Sequence, residues 1–151
     1  MNDTTTSSTG IERFVGYRFP GGSYTIAPDK HALFLKAVDG IPSAHGNAHP
    51  VMHFIATHAG KGMAFDALVA LLDLPLDGGA LFGQEDLQIF RPVRIGETVT
   101  VRGGIVEARA KSGAKTGPFV VLTTEIELVD AAGEVVCRSL ETYILPSGKG
   151  A

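Results

Sequence analysis

After Gly79 the apolar residues of this chain change to a period of two, and four successive stretches keep it. They are FGQEDLQIFRPVRIG (82–96), ETVTVRGGIVEAR (97–109), FVVLTTEIELV (119–129) and EVVCRSLETYIL (134–145), rich in β-branched residues and separated by turn chemistry. In the third, Leu122, Thr124, Ile126 and Leu128 alternate with Thr123, Glu125 and Glu127, so one face is buried and the other is wet. The short link Asp130-Ala131-Ala132-Gly133 predicts an antiparallel hairpin between the last two stretches. Such a pattern commits the second half of the chain to a meandering antiparallel sheet with one face in need of an apolar cover.

The cover comes from the residues before Gly79. Pro50 suits a first helical turn, where its missing N–H would have no partner anyway, and Val51, Met52, Phe54 and Ile55 supply an apolar face. Gly60-Lys61-Gly62 breaks or tightly packs this helix, MAFDALVALLDL resumes it, and Pro75 with Gly78-Gly79 ends it, so the spacing predicts a helical block over 50–73. Further upstream, Pro20, Gly21 and Gly22 mark a turn, and Asp29 caps a short helix whose apolar positions are Leu33, Phe34, Ala37 and Val38. The fold class is therefore α+β, a buried helix followed by an antiparallel sheet. With 151 residues it is one domain, here 11–147, between a polar tail over 1–10 and a short tail over 148–151.

Composition removes several functions. Hydrophobic residues are 44% and charged residues 19%, enough for a packed interior. A net charge of −3 offers no broad basic field, so neither nucleic acid nor a membrane surface is an expected partner. Cys137 is the one cysteine, which excludes an internal disulfide and a thiolate zinc site. No stretch reaches the length of a bilayer span and the N-terminus lacks a secretory pattern, so a reducing, cytoplasmic location is expected.

Four of the five histidines lie in VDGIPSAHGNAHPVMHFIATH (38–58), at His45, His49, His53 and His58. A metal site is not expected there. The glutamate of a His-Glu-x-x-His site is missing, Pro50 interrupts the run, and no cysteine or spaced carboxylate completes it. His49 falls at the helix N-cap, and His58 reads as a partly buried helix histidine. SGAKTG (112–117) lacks the glycine spacing of a phosphate loop and reads as a tip between strands, and the serines have no nucleophile-elbow surroundings.

The order NAHPVMHFIATHAGKGM, then LFGQEDLQIFRPVRIGETVTVRGGIVEARAKSG, then GPFVVLTTEIELVDAAGEVVCRSLETYILP resembles the hot-dog fold of the MaoC-like enoyl-thioester hydratases and dehydratases. The likeness covers about residues 14–146 and is greatest to the N-terminal, FAS-dehydratase-like subfamily. It implies a sheet wrapped around a long central helix, and no cofactor. Active members carry an Asp-x-Asn-Pro-x-His pattern, in which Asp and His position a water and move its proton to the α-carbon of the thioester. The nearest match is Asp39-Gly40-Ile41-Pro42-Ser43-Ala44-His45, with Ile41 in place of Asn and the His one residue late. Asp39 and His45 are thus the candidate catalytic pair. The family also binds the thioester oxygen with a backbone N–H at the start of the central helix, often in a His-Gly pair; here Pro50 stands at the glycine and has no N–H to give.

The resemblance places substrate contacts at His49, Pro50, Val51 and His53. Arg91 and Lys111, with Arg94, Arg109 and Lys115, are candidates for the phosphates of coenzyme A. It implies an enoyl-CoA hydratase or dehydratase subunit acting on an acyl-CoA thioester, bulky or long as in steroid side-chain or fatty acyl thioesters. This chain would be the non-catalytic or weakly catalytic half, paired with a second hot-dog subunit in a heterodimer or heterotetramer. The alternatives are a homodimeric hydratase using Asp39 and His45, an acyl-CoA-binding module without turnover, and a thioesterase. That last activity usually needs a carboxylate on the central helix, where residues 50–62 have none and Asp66 lies too far along.

Overall fold

The computed structural model describes residues 10–75 and 79–148. Apart from Gly10 and Gly148, the two expected tails lie outside the described residues. Five strands, β1 (Gly22–Thr25), β2 (Leu81–Ile89), β3 (Thr98–Gly113), β4 (Gly117–Val129) and β5 (Val135–Pro146), form one sheet in the order β1-β3-β4-β5-β2. Every pairing is antiparallel. The helices are α1 (Pro28–Ala37), α2 (Val51–Gly60) and α3 (Phe65–Leu71), preceded by a 3₁₀ turn at Ile11–Phe14.

Alternation sets the inner face as expected. Leu122, Ile126 and Leu128 are fully buried, and Val99, Val101, Cys137 and Leu145 join them from β3 and β5. Each such side chain contributes roughly 1.5–3 kcal/mol relative to exposure. The β4–β5 link is held by the Asp130 carboxylate, which accepts from the Ala132 and Glu134 N–H groups at 2.9 Å each. SGAKTG turns between β3 and β4, which meet at Gly113 and Gly117. The cysteine is inert: burial first, and then the charge of Glu85, pushes its thiol up to about 12.

α2 lies on the inner face, against β1, β3, β4 and β5. Met52 and Ala56 enter the core from it. The expected helical block over 50–73 is split, and two glycines show why. A Cβ on Gly60 would overlap the Val101 side chain, and Gly62, at φ +73°, has the Gly21 carbonyl oxygen where a Cβ would stand. The chain packs too tightly against β1 and β3 to continue a helix, so it turns through 61–64 before α3. β1 itself was not expected from the sequence. Residues 16–19 run along β3, with the Gly16 N–H donating to the Ile105 carbonyl and the Phe19 N–H to the Gly103 carbonyl, both at 2.9 Å, and β1 continues that path. β2 is shorter than the stretch 82–96, because the Phe90 and Arg91 N–H groups both turn to the Val136 carbonyl and Pro92 has no N–H. Among the described residues no helix is long and apolar enough to cross a membrane.

Candidate functional site

The start of α2 is fixed from three sides. The Ala48 N–H donates to the Val93 carbonyl at 2.8 Å, which ties the approaching chain to the loop after β2. The His49 N–H donates to His31 Nε2 on α1 at 2.9 Å, and the Val51 N–H donates to His49 Nδ1 at 3.2 Å. The Met52 N–H goes to the His49 carbonyl and the His53 N–H to the Pro50 carbonyl, at 2.9 and 3.1 Å. Pro50, rather than His49 as the sequence suggests, is the N-cap, and it has no N–H at all. A helix N-terminus attracts anions because its first N–H groups are free. Here every one from His49 to His53 has an internal partner.

His31 was not singled out in the sequence. It is 2% exposed and shares a face of α1 with Leu35 at i+4, while Phe34 meets the His49 ring edge-to-face at 5.0 Å. The accepting nitrogens set the tautomers: a neutral His31 carries its proton on Nδ1 and a neutral His49 on Nε2. Beside them lies a cavity of about 140 Å³, bounded by His31, Leu35, Ile41, Ser43, His49 and Pro50. Ligand pockets usually hold about 300–1,000 Å³.

Asp39 and His45 lie on the loop leading to this point, and both are exposed. Asp39 has φ +53°, the left-handed conformation, and follows the C-cap of α1. The Gly40 N–H reaches back to the Leu35 carbonyl at 2.8 Å, the 6→1 bond of a Schellman ending. Aspartate tolerates that conformation, so helix termination accounts for the residue without catalysis. The His45 N–H donates to Ser43 Oγ at 3.2 Å. Among the described residues no hydrogen bond or ion pair joins the Asp39 and His45 side chains.

His53 is 1% exposed, with Nδ1 2.9 Å from the Pro50 carbonyl oxygen and Nε2 3.1 Å from that of Arg91. Its ring lies between the first turn of α2 and the loop after β2, where a neutral imidazole donates its one N–H to one of the two carbonyls and both nitrogens face main chain. The Arg91 guanidinium is held by Glu97 at 2.6 and 3.2 Å and by Asp130 at 3.0 Å. Two carboxylates therefore already compensate its charge. Its hydrogen bonds lower the Glu97 carboxyl below the ordinary 4.5, and the Glu134 N–H and then Arg91 lower Asp130 below 3.8. A depressed folded value means stability that is present above about pH 4.5 and is lost as pH falls through the folded values. Arg91→Met is expected to flatten that acid-side decline, read as the urea midpoint against pH. An unchanged slope would show that the cluster does not link folding to protons.

At the other end of α2 lies a cluster that sequence reasoning missed. Glu141 on β5 is fully buried, and its Oε2 accepts from Tyr143 Oη at 2.8 Å and Thr124 Oγ1 at 3.4 Å, with Lys61 Nζ at 3.5 Å. Oε1 has no hydrogen-bond partner, and His58 Nε2 stands 3.6 Å away. Burial, and then the Glu141 charge, pushes the Tyr143 phenol well above its ordinary value. The second His58 nitrogen is 3.0 Å from the Phe54 carbonyl oxygen, so both face protein and the ring is not placed to act on a substrate. The signal was parity: Glu141 shares the inward register of Cys137 and Leu145.

A family model described as the FAS1-like, dehydratase domain region matches residues 13–139. The chain belongs to this family. No curated protein matches it. Among solved structures, this FAS1-like dehydratase-region chain is similar to a MaoC-like dehydratase from Rhodospirillum rubrum, at 20% identity over 90% of this chain and 94% of that one, with a TM-score of 0.61. It is also similar to the ChsH1-ChsH2 complex from Mycobacterium tuberculosis, at 15% identity, 93% and 89% coverage and a TM-score of 0.69. A third is the HadBC (3R-hydroxyacyl-ACP dehydratase) complex from the same organism, at 16% identity, 84% and 92% coverage and a TM-score of 0.58. These likenesses are of fold, and the fold is the hot-dog.

Within the dehydratase-region chain, the expected site residues separate into three places. His49, Pro50, Val51 and His53 meet at the start of α2, with Arg91 beneath them through its carbonyl. Asp39 and His45 are on the exposed loop before it. Lys111 lies near the Gly113 end of β3, whereas Arg91 joins Asp130 and Glu97 at the Thr98 end, a separation on the order of 40 Å along the strand. The structure does not bring Arg91 and Lys111 together, so the two cannot grip one phosphate group. Among the described residues no group of His, Cys, Asp and Glu side chains could hold a metal.

Proposed function

We propose that this chain is the non-catalytic half of a two-chain enoyl-thioester hydratase or dehydratase, shaping the acyl site while its partner activates water. The observation that carries the reading is the start of α2, where no main-chain N–H from His49 to His53 is free. Adding water across the double bond places charge on the thioester oxygen, which needs aimed donors, and requires an acid/base pair at the two carbons. This chain offers no donor at the usual place, and Asp39 and His45 are unlinked. The cavity beside the start of α2, about 140 Å³, is also small for an acyl group, so in this reading a second chain completes the pocket there. HadBC and ChsH1-ChsH2, similar in fold, are both named as complexes. The substrate in this reading is a long or bulky enoyl thioester of coenzyme A, since a half relieved of catalytic geometry can give its space to the acyl chain.

The test is hydration of a short trans-2-enoyl-CoA by the purified chain, followed as loss of the conjugated thioester's absorbance. No rate above that of an Asp39→Asn/His45→Ala variant is expected. In a complex with a catalytic hot-dog chain, the same substitutions are expected to leave the rate within about twofold. A clear rate from the chain alone, abolished by Asp39→Asn, would overturn the reading.

A further inference from the structure

We infer that the cavity between α1 and the start of α2 takes the oxygen of a ketone carried on the acyl group, so that the substrate is an oxo-acyl thioester; this rests on the two-chain reading above. The volume of about 140 Å³ holds roughly four or five water-sized groups, the end of a chain and not a whole acyl group. Leu35 and Ile41 give the cavity an apolar side. Its polar side is made by His31, Ser43, Asn47 and His49.

What these four residues offer is donors. His31 Nε2 accepts the His49 N–H at 2.9 Å and His49 Nδ1 accepts the Val51 N–H at 3.2 Å, which leaves His31 Nδ1–H and His49 Nε2–H over. Among the described residues neither proton meets an acceptor, and Glu141 Oε1 is the one partnerless side-chain atom closed off from open space. His31 is 2% exposed, and the open space it bounds is this cavity. Its Nδ1–H is a buried donor in want of an acceptor. The Ser43 hydroxyl, whose oxygen accepts the His45 N–H at 3.2 Å, and the Asn47 amide bring further donors to the same space.

The acceptor that fits is neutral. A second proton on either ring would remove the lone pair that a main-chain N–H uses, so the hydrogen bonds at the start of α2 hold with both rings neutral. Among the described residues no Asp, Glu, Lys or Arg bounds the cavity. A carboxylate placed there would lose hydration without gaining a counter-charge, whereas a ketone oxygen accepts two N–H groups and gives up little. The carbonyl of the thioester itself is also neutral, but in the two-chain reading it lies with the acid/base pair of the partner. What reaches this half is the acyl chain.

The test follows the imidazole resonances of His31 and His49 in the purified chain by NMR. Butanone, a neutral carbonyl of the right size, is expected to move them saturably, and butyrate at the same concentration to move them by about a tenth as much or less. Levulinoyl-CoA, which carries a ketone, and pentanoyl-CoA, which does not, are then compared. The ketone-bearing thioester should reach half its effect at a concentration about tenfold or more below the other, because a site built of donors rejects a chain that cannot accept. Equal responses to butyrate and butanone, no saturable response to butanone, or equal responses to the two thioesters would each overturn the inference. Hydration is not read in these spectra, so a missing ketone response leaves the two-chain reading standing, and a rate from the chain alone would end that reading without altering them.

Discussion

Replacing Lys61 by methionine is expected to lower the unfolding free energy by about 3 kcal/mol, and adding Glu141→Gln is expected to restore most of it. Lys61 is 6% exposed and Glu141 is fully buried, so the ammonium is the nearest fixed positive charge to a carboxylate closed off from the surface. Removing one partner leaves an uncompensated buried charge, which costs more than the pair contributes. Tyr143 and Thr124 would still donate to Oε2, but neutral donors offset only part of that cost. Glutamine keeps an acceptor for Tyr143 and needs no counter-ion. Lys61 also caps the C-terminal end of α2, where a cation favours the helix dipole, and the double variant will not recover that smaller share. Urea unfolding of the three proteins decides the matter. A loss under about 1 kcal/mol for Lys61→Met would show that Glu141 does not depend on the ammonium.

His53→Leu is expected to cost about 2–3 kcal/mol. Leucine roughly keeps the volume but offers nothing to the Pro50 and Arg91 carbonyl oxygens, which the ring now spans at 2.9 and 3.1 Å. The effect should be local as well as global. Amide exchange at Met52 and His53 should accelerate, because their partners are the His49 and Pro50 carbonyls of the same turn. Arg91 connects this turn to Glu97 and Asp130, so His53→Leu and Arg91→Met act on one loop and their effects should not add. A loss within about 0.5 kcal/mol for His53→Leu would mean that water replaces the ring without cost.

The sheet was legible because its signal is local. Alternation over 119–129 names the buried residues of β4 directly, and the turn residues at 130–133 fall where β4 meets β5. The α2 start was legible through Pro50 for the same reason. What escaped depends on contacts between distant segments. No periodicity announces that His31 will accept from the His49 N–H, since that bond exists only once α1 packs beside the start of α2. Lys61 and Glu141 meet across eighty positions, although inward parity on β5 already marked one of them. The break at 61–64 shows the limit of spacing rules. Apolar periodicity resumes after it, yet the close approach of Gly60 to Val101 and of Gly62 to Gly21 overrides the pattern. Asp39 gave the opposite difficulty, because a residue suited to catalysis and one suited to a left-handed helix ending look alike in sequence.

The position of β2 also sets an order in time. Ile89 pairs with Cys137 and Leu81 with Ile144, roughly fifty to sixty residues further along the chain. At roughly 5–20 residues per second, a ribosome needs about 3–12 s to deliver those partners. During that interval the nascent β2 carries Leu81, Phe82, Ile89 and Phe90 with neither side paired, and when β5 arrives only one side is closed. Chain order alone sets that interval, so the yield of soluble protein should fall when translation of residues 90–146 is slowed.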